Sequence, residues 1–257
     1  MKVQILGAHN CESQSTKLTC LLVDGVLAID AGGLTSGLSF ASQQNLKAIL
    51  LTHHHYDHIR DIPAIAMNFF LQNNSISIYS TLTVYDALTA FLLNNSLYPD
   101  FLTRPPGKPA VKFTILKPYQ STRIEGYDVM AVPVNHAVPT VGYQVTGPDG
   151  KSLFYSGDTG PGLADCWQKI APQFLVIEVT GPDRYQSSLL ESGHLTPALL
   201  EQELTSFREI HGYLPEVVTV HMNPYLEKEI ESELFRLAKK LRHPIRLAYE
   251  DMQIMLF

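Results

Sequence analysis

A chain of 257 residues, 45% of them hydrophobic, is long enough to bury a full core and fits one domain over 1–257 without disulfide staples. A net charge of −6 with no block of Lys or Arg argues against a large phosphate-backbone footprint, so no large nucleic acid is expected as a partner. Cys11, Cys20 and Cys166 are widely spaced without a CxxC, and no apolar run approaches the roughly 18 residues of a membrane span, so free thiols and a cytoplasmic location away from membranes are expected.

Short apolar runs predict strands near Val3–Leu6, Thr19–Val23 and Val26–Ile29, with Asp24-Gly25 as the hairpin turn between the last two. A strand over Ala48–Thr52 leads into the histidine-rich segment Thr52-His53-His54-His55-Tyr56-Asp57-His58. A helix over Ile62–Leu71, a strand over Ile76–Tyr79 and a helix over Leu82–Leu93 follow. In segment 94–110, Pro99, Pro105, Pro106 and Pro109 preclude a continuing helix. It reads as a surface connection, with a lid over the site or a homodimer contact as the functional alternative. Strands are then predicted near Val111–Leu116, Tyr127–Val134, Thr140–Val145, Leu153–Ser156 and Phe174–Glu178, with a helix over Leu163–Ile170 before the last. Thr196 as N-cap and Pro197 at the first helical position start a helix over Pro197–His211. A strand over Val217–Val220, a helix over Leu226–Leu241 and a strand over Arg246–Ala248 complete the order. Strands in meander fashion with helices outside indicate two sheets covered by helices, an α+β arrangement.

Alternate side chains of an extended segment share a face, so His53 and His55 point one way, His54 points away, and Asp57 and His58 follow at the turn. Imidazoles crowded together repel when protonated and leave polar atoms unsatisfied when buried and neutral. Metal binding removes both problems. Two ions need further donors, and three candidates each lie just past the end of a predicted strand: His136, Asp158 in Ser156-Gly157-Asp158-Thr159-Gly160, and His221. Loops at one edge of a sheet converge in this way at sites of α/β proteins.

With these residues in view, the chain resembles the metallo-β-lactamase superfamily. His53, His55, Asp57 and His58 match its HxHxDH motif, Asp30 in Ala28-Ile29-Asp30-Ala31-Gly32 its first motif, and His136, Asp158 and His221 the three that follow. The resemblance implies an αββα sandwich with His53, His55 and His136 around one ion, Asp57, His58 and His221 around a second, Asp158 bridging them and Asp30 orienting the site. The cofactors it implies are two divalent ions, Zn2+ first, with Mn2+ or iron as alternatives. Leu175–Thr180 followed by Gly193-His194-Leu195-Thr196-Pro197 is similar, more narrowly, to class II cyclic-nucleotide phosphodiesterases. Tyr56 and Asp61 depart from that pattern, which has Leu and Gly there.

Two divalent cations, less Asp57, Asp158 and a bridging hydroxide, leave one net positive charge that a singly anionic diester neutralises. His194 is the candidate acid for the leaving alkoxide, with Glu178 orienting it, and Asp57 is the anionic ligand of the same catalytic set. The expected reaction is hydrolysis of a small 3′,5′-cyclic nucleotide such as cyclic AMP to its 5′-monophosphate. Alternatives are a transfer-RNA 3′-processing nuclease, a thioester or lactone hydrolase, and a metal-dependent nucleotide sensor. The nuclease family carries an RNA-gripping arm where only 21 residues separate His136 from Asp158 here. His9, Arg104, Lys108 and Arg184 are secondary candidates for substrate contact, and His211 and His243 for roles at helix ends.

Overall fold

The computed structural model describes residues 1–256 as two seven-stranded sheets packed face to face. The first sheet holds β1 (Lys2–Gly7), β2 (Cys20–Val23), β3 (Leu27–Ile29), β4 (Ala48–Leu50), β5 (Ile76–Ser80), β6 (Val111–Ile115) and, beyond β1, the late strand β14 (Met252–Met255). The second runs in consecutive order from β7 (Ser121–Ile124) through β8 (Tyr127–Val134), β9 (Thr140–Thr146), β10 (Ser152–Tyr155), β11 (Phe174–Glu178) and β12 (Glu216–Val220) to β13 (Ile245–Leu247). Each sheet is antiparallel at one side and parallel at the other: β3 to β6 are parallel, as are β10 to β13. The meander expected from the sequence is therefore confined to β1–β3 and β7–β10.

Strand alternation assembles the layers. Leu27, Ile29, Ala48 and Leu50 face the second sheet, where they meet Val129, Tyr143 and Tyr155 in one core. Ala28, Ile49 and Leu51 face outward, under Ile62, Ile65 and Phe69 of α4 (Ile62–Leu71) and Val84 of α5 (Leu82–Ala87). On the far face of the second sheet lie Trp167 of α6 (Ala164–Trp167), Leu200 and Phe207 of α8 (Pro197–His211), and Ile230 and Leu234 of α9 (Glu227–Leu241). This is the αββα sandwich.

The short helices α1 (Leu34–Gly37), α2 (Phe40–Gln43), α3 (Tyr56–Ile59) and α7 (Gln186–Ser192) were not predicted, nor were β7 and β14. Single-turn helices carry no periodic signal, α7 buries none of its residues, and β7 is a mostly exposed edge strand. The predicted helix Leu163–Ile170 shortens to α6, and α5 continues as a π-helical turn over Leu88–Leu92. Thr196 caps α8 as expected, its hydroxyl accepting the amide of Leu199.

Segment 94–110 follows a helix that returns from the C-terminal end of β5, and it delivers the chain to the start of β6. Phe101 is buried against Phe70, Ser75 Oγ donates to the Pro109 carbonyl, and Lys108 Nζ donates to the Asn73 carbonyl. These contacts put the segment at the N-terminal edge of the parallel strands, opposite the histidine cluster, so Lys108 is directed away from the site.

Candidate metal centre

The sequence-predicted side chains converge on the opposite edge, where β4, β8, β10, β11 and β12 all end. Asp30 leaves β3 with φ 59°, a left-handed conformation that Asp adopts more readily than most residues. It is fully buried and accepts from the Thr52 amide (2.8 Å) and hydroxyl (2.9 Å), His58 Nδ1 (2.7 Å) and the Tyr155 hydroxyl (3.0 Å). One carboxylate thus fixes the start of the histidine segment. His53 and His55 follow in extended backbone, and α3 then turns Asp57 and His58 back toward the same centre.

Ligand atoms of His53, His55, His136 and Asp158 lie within 4.8 Å of one another, as do those of Asp57, His58, Asp158 and His221. Asp158 belongs to both groups. Its Oδ1 is 3.1 Å from His58 Nε2, and its Oδ2 is 3.4 Å from His221 Nε2, 3.7 Å from His53 Nε2 and 3.8 Å from His136 Nε2. All seven predicted ligands are brought together. His54 is half-buried and in neither group.

Hydrogen bonds behind the rings fix the tautomers. Thr52 donates its single hydroxyl proton to Asp30, so at 3.0 Å it must accept from His53 Nδ1. Thr180 likewise donates to Glu178 Oε2 (2.8 Å) and accepts from His221 Nδ1 (2.9 Å). His58 Nδ1 donates to Asp30 and His136 Nδ1 to the Gly193 carbonyl (2.8 Å). In the neutral rings every Nε2 then presents a lone pair to the centre. With the rings neutral, His53 Nε2, His58 Nε2 and Asp158 Oδ1 are buried acceptors that face no donor, and His136 Nε2 faces His55 Nδ1 at 3.2 Å. Buried inward lone pairs are costly unless cations satisfy them, and nitrogen with carboxylate oxygen suits divalent metal ions. The residues fit two such ions.

Glycine matters at two points of this frame. Gly193 closes α7 with φ 74°, and a Cβ there would come within 2.9 Å of the His136 Cα, so the Gly193 carbonyl can reach His136 Nδ1 only without a side chain. Gly157, at φ 61°, lies directly against Thr52, whose Cβ would stand 2.9 Å from a Cβ at this position.

Electrostatics divide the centre. Burial, reinforced by neighbouring His58, pushes His53 well below the ordinary imidazole range, and burial with neighbouring rings lowers His55 as well. Burial also lowers His136, against the pull of Asp158. At His58 burial opposes the charged form, but Asp158 and Asp30 outweigh it and raise the ring well above its usual value. Asp57 is held down to about 2, its burial outweighed by the His221 hydrogen bond and the charge of His58.

Beside the second group stands a third constellation, Glu178, His194 and His221. Glu178 is fully buried with both oxygens engaged: Oε1 accepts from His194 Nδ1 (2.7 Å) and the Thr159 amide, Oε2 from Thr180 and the Leu195 amide. A carboxylate so filled is a hydrogen-bonding relay rather than a further cation site. His194 is lowered by burial but raised more by Glu178, to about 9, and its side chain remains 16% exposed. It therefore holds a proton at neutral pH and can offer it to solvent.

Sequence reasoning missed Thr180, Tyr155 and Glu203 as supports. Buried Glu203 accepts from the amides of Gly162 and Leu163 and from Trp167 Nε1, anchoring the loop behind Asp158. Thr180 had a signal, since it lies on the same face as Glu178 two residues on. His9, expected as a loop histidine or a substrate contact, is buried against Glu250. Arg184 pairs with Glu229, while His211 and His243 meet the carbonyls of Trp167 and Pro215. The cavity of about 440 Å³ beside Phe40 and Leu71, between α2 and α4, contains none of these groups.

The profile described as the beta-lactamase superfamily domain matches residues 21–222, a stretch that contains both ligand groups and the relay. The chain belongs to the β-lactamase superfamily. Over 211 residues it is 25% identical to ribonuclease Z of Pyrococcus abyssi, a match covering 76% of this chain but only 62% of that protein. The crystal structure of unliganded yeast PDE1 superposes with a TM-score of 0.86 at 17% identity, covering 99% of both chains. The metallo-β-lactamase fold protein YhfI from Bacillus subtilis gives a TM-score of 0.75 at 15% identity over 98% of both. At such identities the structural likeness is one of fold. Among the described residues, no helix is long and apolar enough to cross a membrane.

Proposed function

We propose that this protein is a dinuclear metallophosphodiesterase that hydrolyses a 3′,5′-cyclic nucleotide such as cyclic AMP to the 5′-monophosphate. In this reading His53, His55 and His136 hold one divalent ion, Asp57, His58 and His221 the other, and Asp158 bridges them. Zinc is the favoured metal, given five imidazoles and two carboxylates, with Mn2+ or iron as alternatives. Bound there, the two ions would supply an acidified water as nucleophile and neutralise charge on the phosphate oxygens.

The observation that carries the reading is the relay beside the second pocket. Glu178 keeps His194 protonated and turns its Nε2 edge away from the carboxylate, so the ring can donate to a departing alkoxide at neutral pH. A ribose alkoxide is a poor leaving group and needs that proton. Thr180 ties the same carboxylate to His221, so the acid and a ligand share one rigid support. The superposition on yeast PDE1 along the whole chain supports the fold that this reading requires.

The ribonuclease Z match favours a second reading, cleavage of a larger RNA. Between His136 and Asp158, however, the chain forms only β9, β10 and a tight turn in which the Gly147 amide donates to the Lys151 carbonyl. No RNA-gripping arm leaves from that point, and the net charge of −6 disfavours a polyanion. The free thiols Cys11, Cys20 and Cys166 support a cytoplasmic location. We take the chain to act as one domain.

The deciding assay compares metal-reconstituted protein on cyclic AMP, cyclic GMP, a precursor transfer RNA and a thioester. Turnover of a cyclic nucleotide is expected to exceed the others. Rapid thioester or RNA cleavage with inert cyclic nucleotides would overturn the assignment.

A further inference from the structure

His9 belongs to neither pocket, yet it is only 3% exposed and its surroundings lead to one of them. His221 leaves β12 with φ 63°, a strained conformation for a residue with a full side chain, which persists only where neighbours over-determine it. The peptide just after it is clamped on both sides of His9: the Met222 amide donates to the Ala8 carbonyl, and the Asn10 amide donates to the Met222 carbonyl, each at 3.3 Å. This bridge joins the end of β1 in one sheet to the end of β12 in the other.

The His9 side chain secures the same loop at its other end. Nδ1 donates to Glu250 Oε1 at 2.7 Å, and that oxygen also accepts the Lys17 amide at 2.9 Å. Nε2 is buried without a hydrogen-bond partner and lies 3.5 Å from Glu227 Oε2, in the first turn of α9. Residues 222–227 are thus held by backbone beside His9 at one end and meet its ring, through Glu227, at the other. Thr180 orients the His221 ring, and this staple fixes the backbone from which the ring projects.

We propose that His9 is a positioning residue for His221, setting the geometry of the pocket formed by Asp57, His58, Asp158 and His221. The proposal rests on the reading of those four residues as metal ligands. Outer supports of a ligand typically alter metal affinity by about 10–100-fold when removed. The loss here falls on one ion, because His53, His55 and His136 have no contact with the staple.

The test is calorimetric titration of metal-free protein with Zn2+ and Mn2+, the second-pocket step being identified as the one that His221→Ala abolishes. His9→Ala is expected to weaken that step by about 10-fold or more and to leave the other within about twofold. His9→Gln, which can still donate to Glu250, is expected to recover part of the loss. Glu227→Gln supplies the same readout from a partly exposed position if His9→Ala does not fold. Equal weakening of both steps, or an unchanged second step, would overturn the proposal. Wild-type protein that binds no ion would instead remove the ligand assignment and this inference with it.

Discussion

The two ligand groups share Asp158 and lie side by side, yet they are prepared for a cation in different ways. His53, His55 and His136 are pushed by burial toward the neutral form, so their lone pairs are already available at neutral pH. His58, between Asp30 and Asp158, is instead stabilised as an imidazolium and must release a proton before its Nε2 can bind. In the proposed reading the first group would be a preformed ligand set, and the second would exchange a proton for a metal. Carboxylate proximity explains the difference: Asp30 and Asp158 flank His58 at 2.7 and 3.1 Å, whereas Asp158 comes no nearer than 3.7 Å to His53 and 3.8 Å to His136.

Removing the shared carboxylate should have the largest effect. Asp158→Ala is expected to lower turnover by about 10³-fold, since the several kcal/mol a metal centre contributes to the barrier depend on both ions. Metal analysis should then find fewer than two ions, and retention of both would contradict the bridging role. His194→Ala should cost about 10²-fold or more in kcat with both ions still bound, whereas a loss below about twofold would end its role as acid.

The same relay sets an upper pH limit. His194 is raised from 6.5 to about 9 in the metal-free protein, so turnover should fall as rising pH removes this proton, at a midpoint that bound cations move below about 9. The stability contributed by the His194–Glu178 pair has the same sign, complete below about 6.5 and lost through about 9. In His194→Gln protein this stability loss should be absent from thermal melts recorded across that window.

Thr180→Val would separate the pockets directly, weakening the ion held by His221 by about 10-fold and sparing the other. Acid titration sharpens the same contrast. Affinity for the second ion should fall about tenfold per pH unit through the neutral range as His58 holds its proton, while the first is lost only at lower pH. Coincident pH profiles would show that the two groups are not differently prepared. The smallest effect is expected from Tyr155→Phe, which removes one hydrogen bond to Asp30 and should lower unfolding stability by about 1 kcal/mol in denaturant melts.

Much of this centre was legible in the chain. Seven ligand candidates follow strand ends recognisable from their apolar runs, and the roles of His194 and Glu178 were implied by the resemblance of their short motifs to a phosphodiesterase family. Most long elements were equally clear: the helices over Ile62–Leu71 and Pro197–His211 have the predicted bounds. The edge strand Met252–Met255 was not legible, because four alternating residues acquire meaning only when Lys2–Ile5 lies beside them.

Local chemistry written in consecutive residues determined which side chains carry ligand atoms and which runs become strands, since periodicity and motif spacing act over a few residues. Tertiary structure alone decided what stands behind those side chains. Asp30 meets Tyr155 across 125 positions and Asp57 meets His221 across 164 because two sheets close on one another, while His9 meets Glu250 across 241 because the last strand returns beside the first. Tautomer, charge and the division between the two groups follow from those distant contacts, because an imidazole's proton is placed by whatever packs against its other nitrogen.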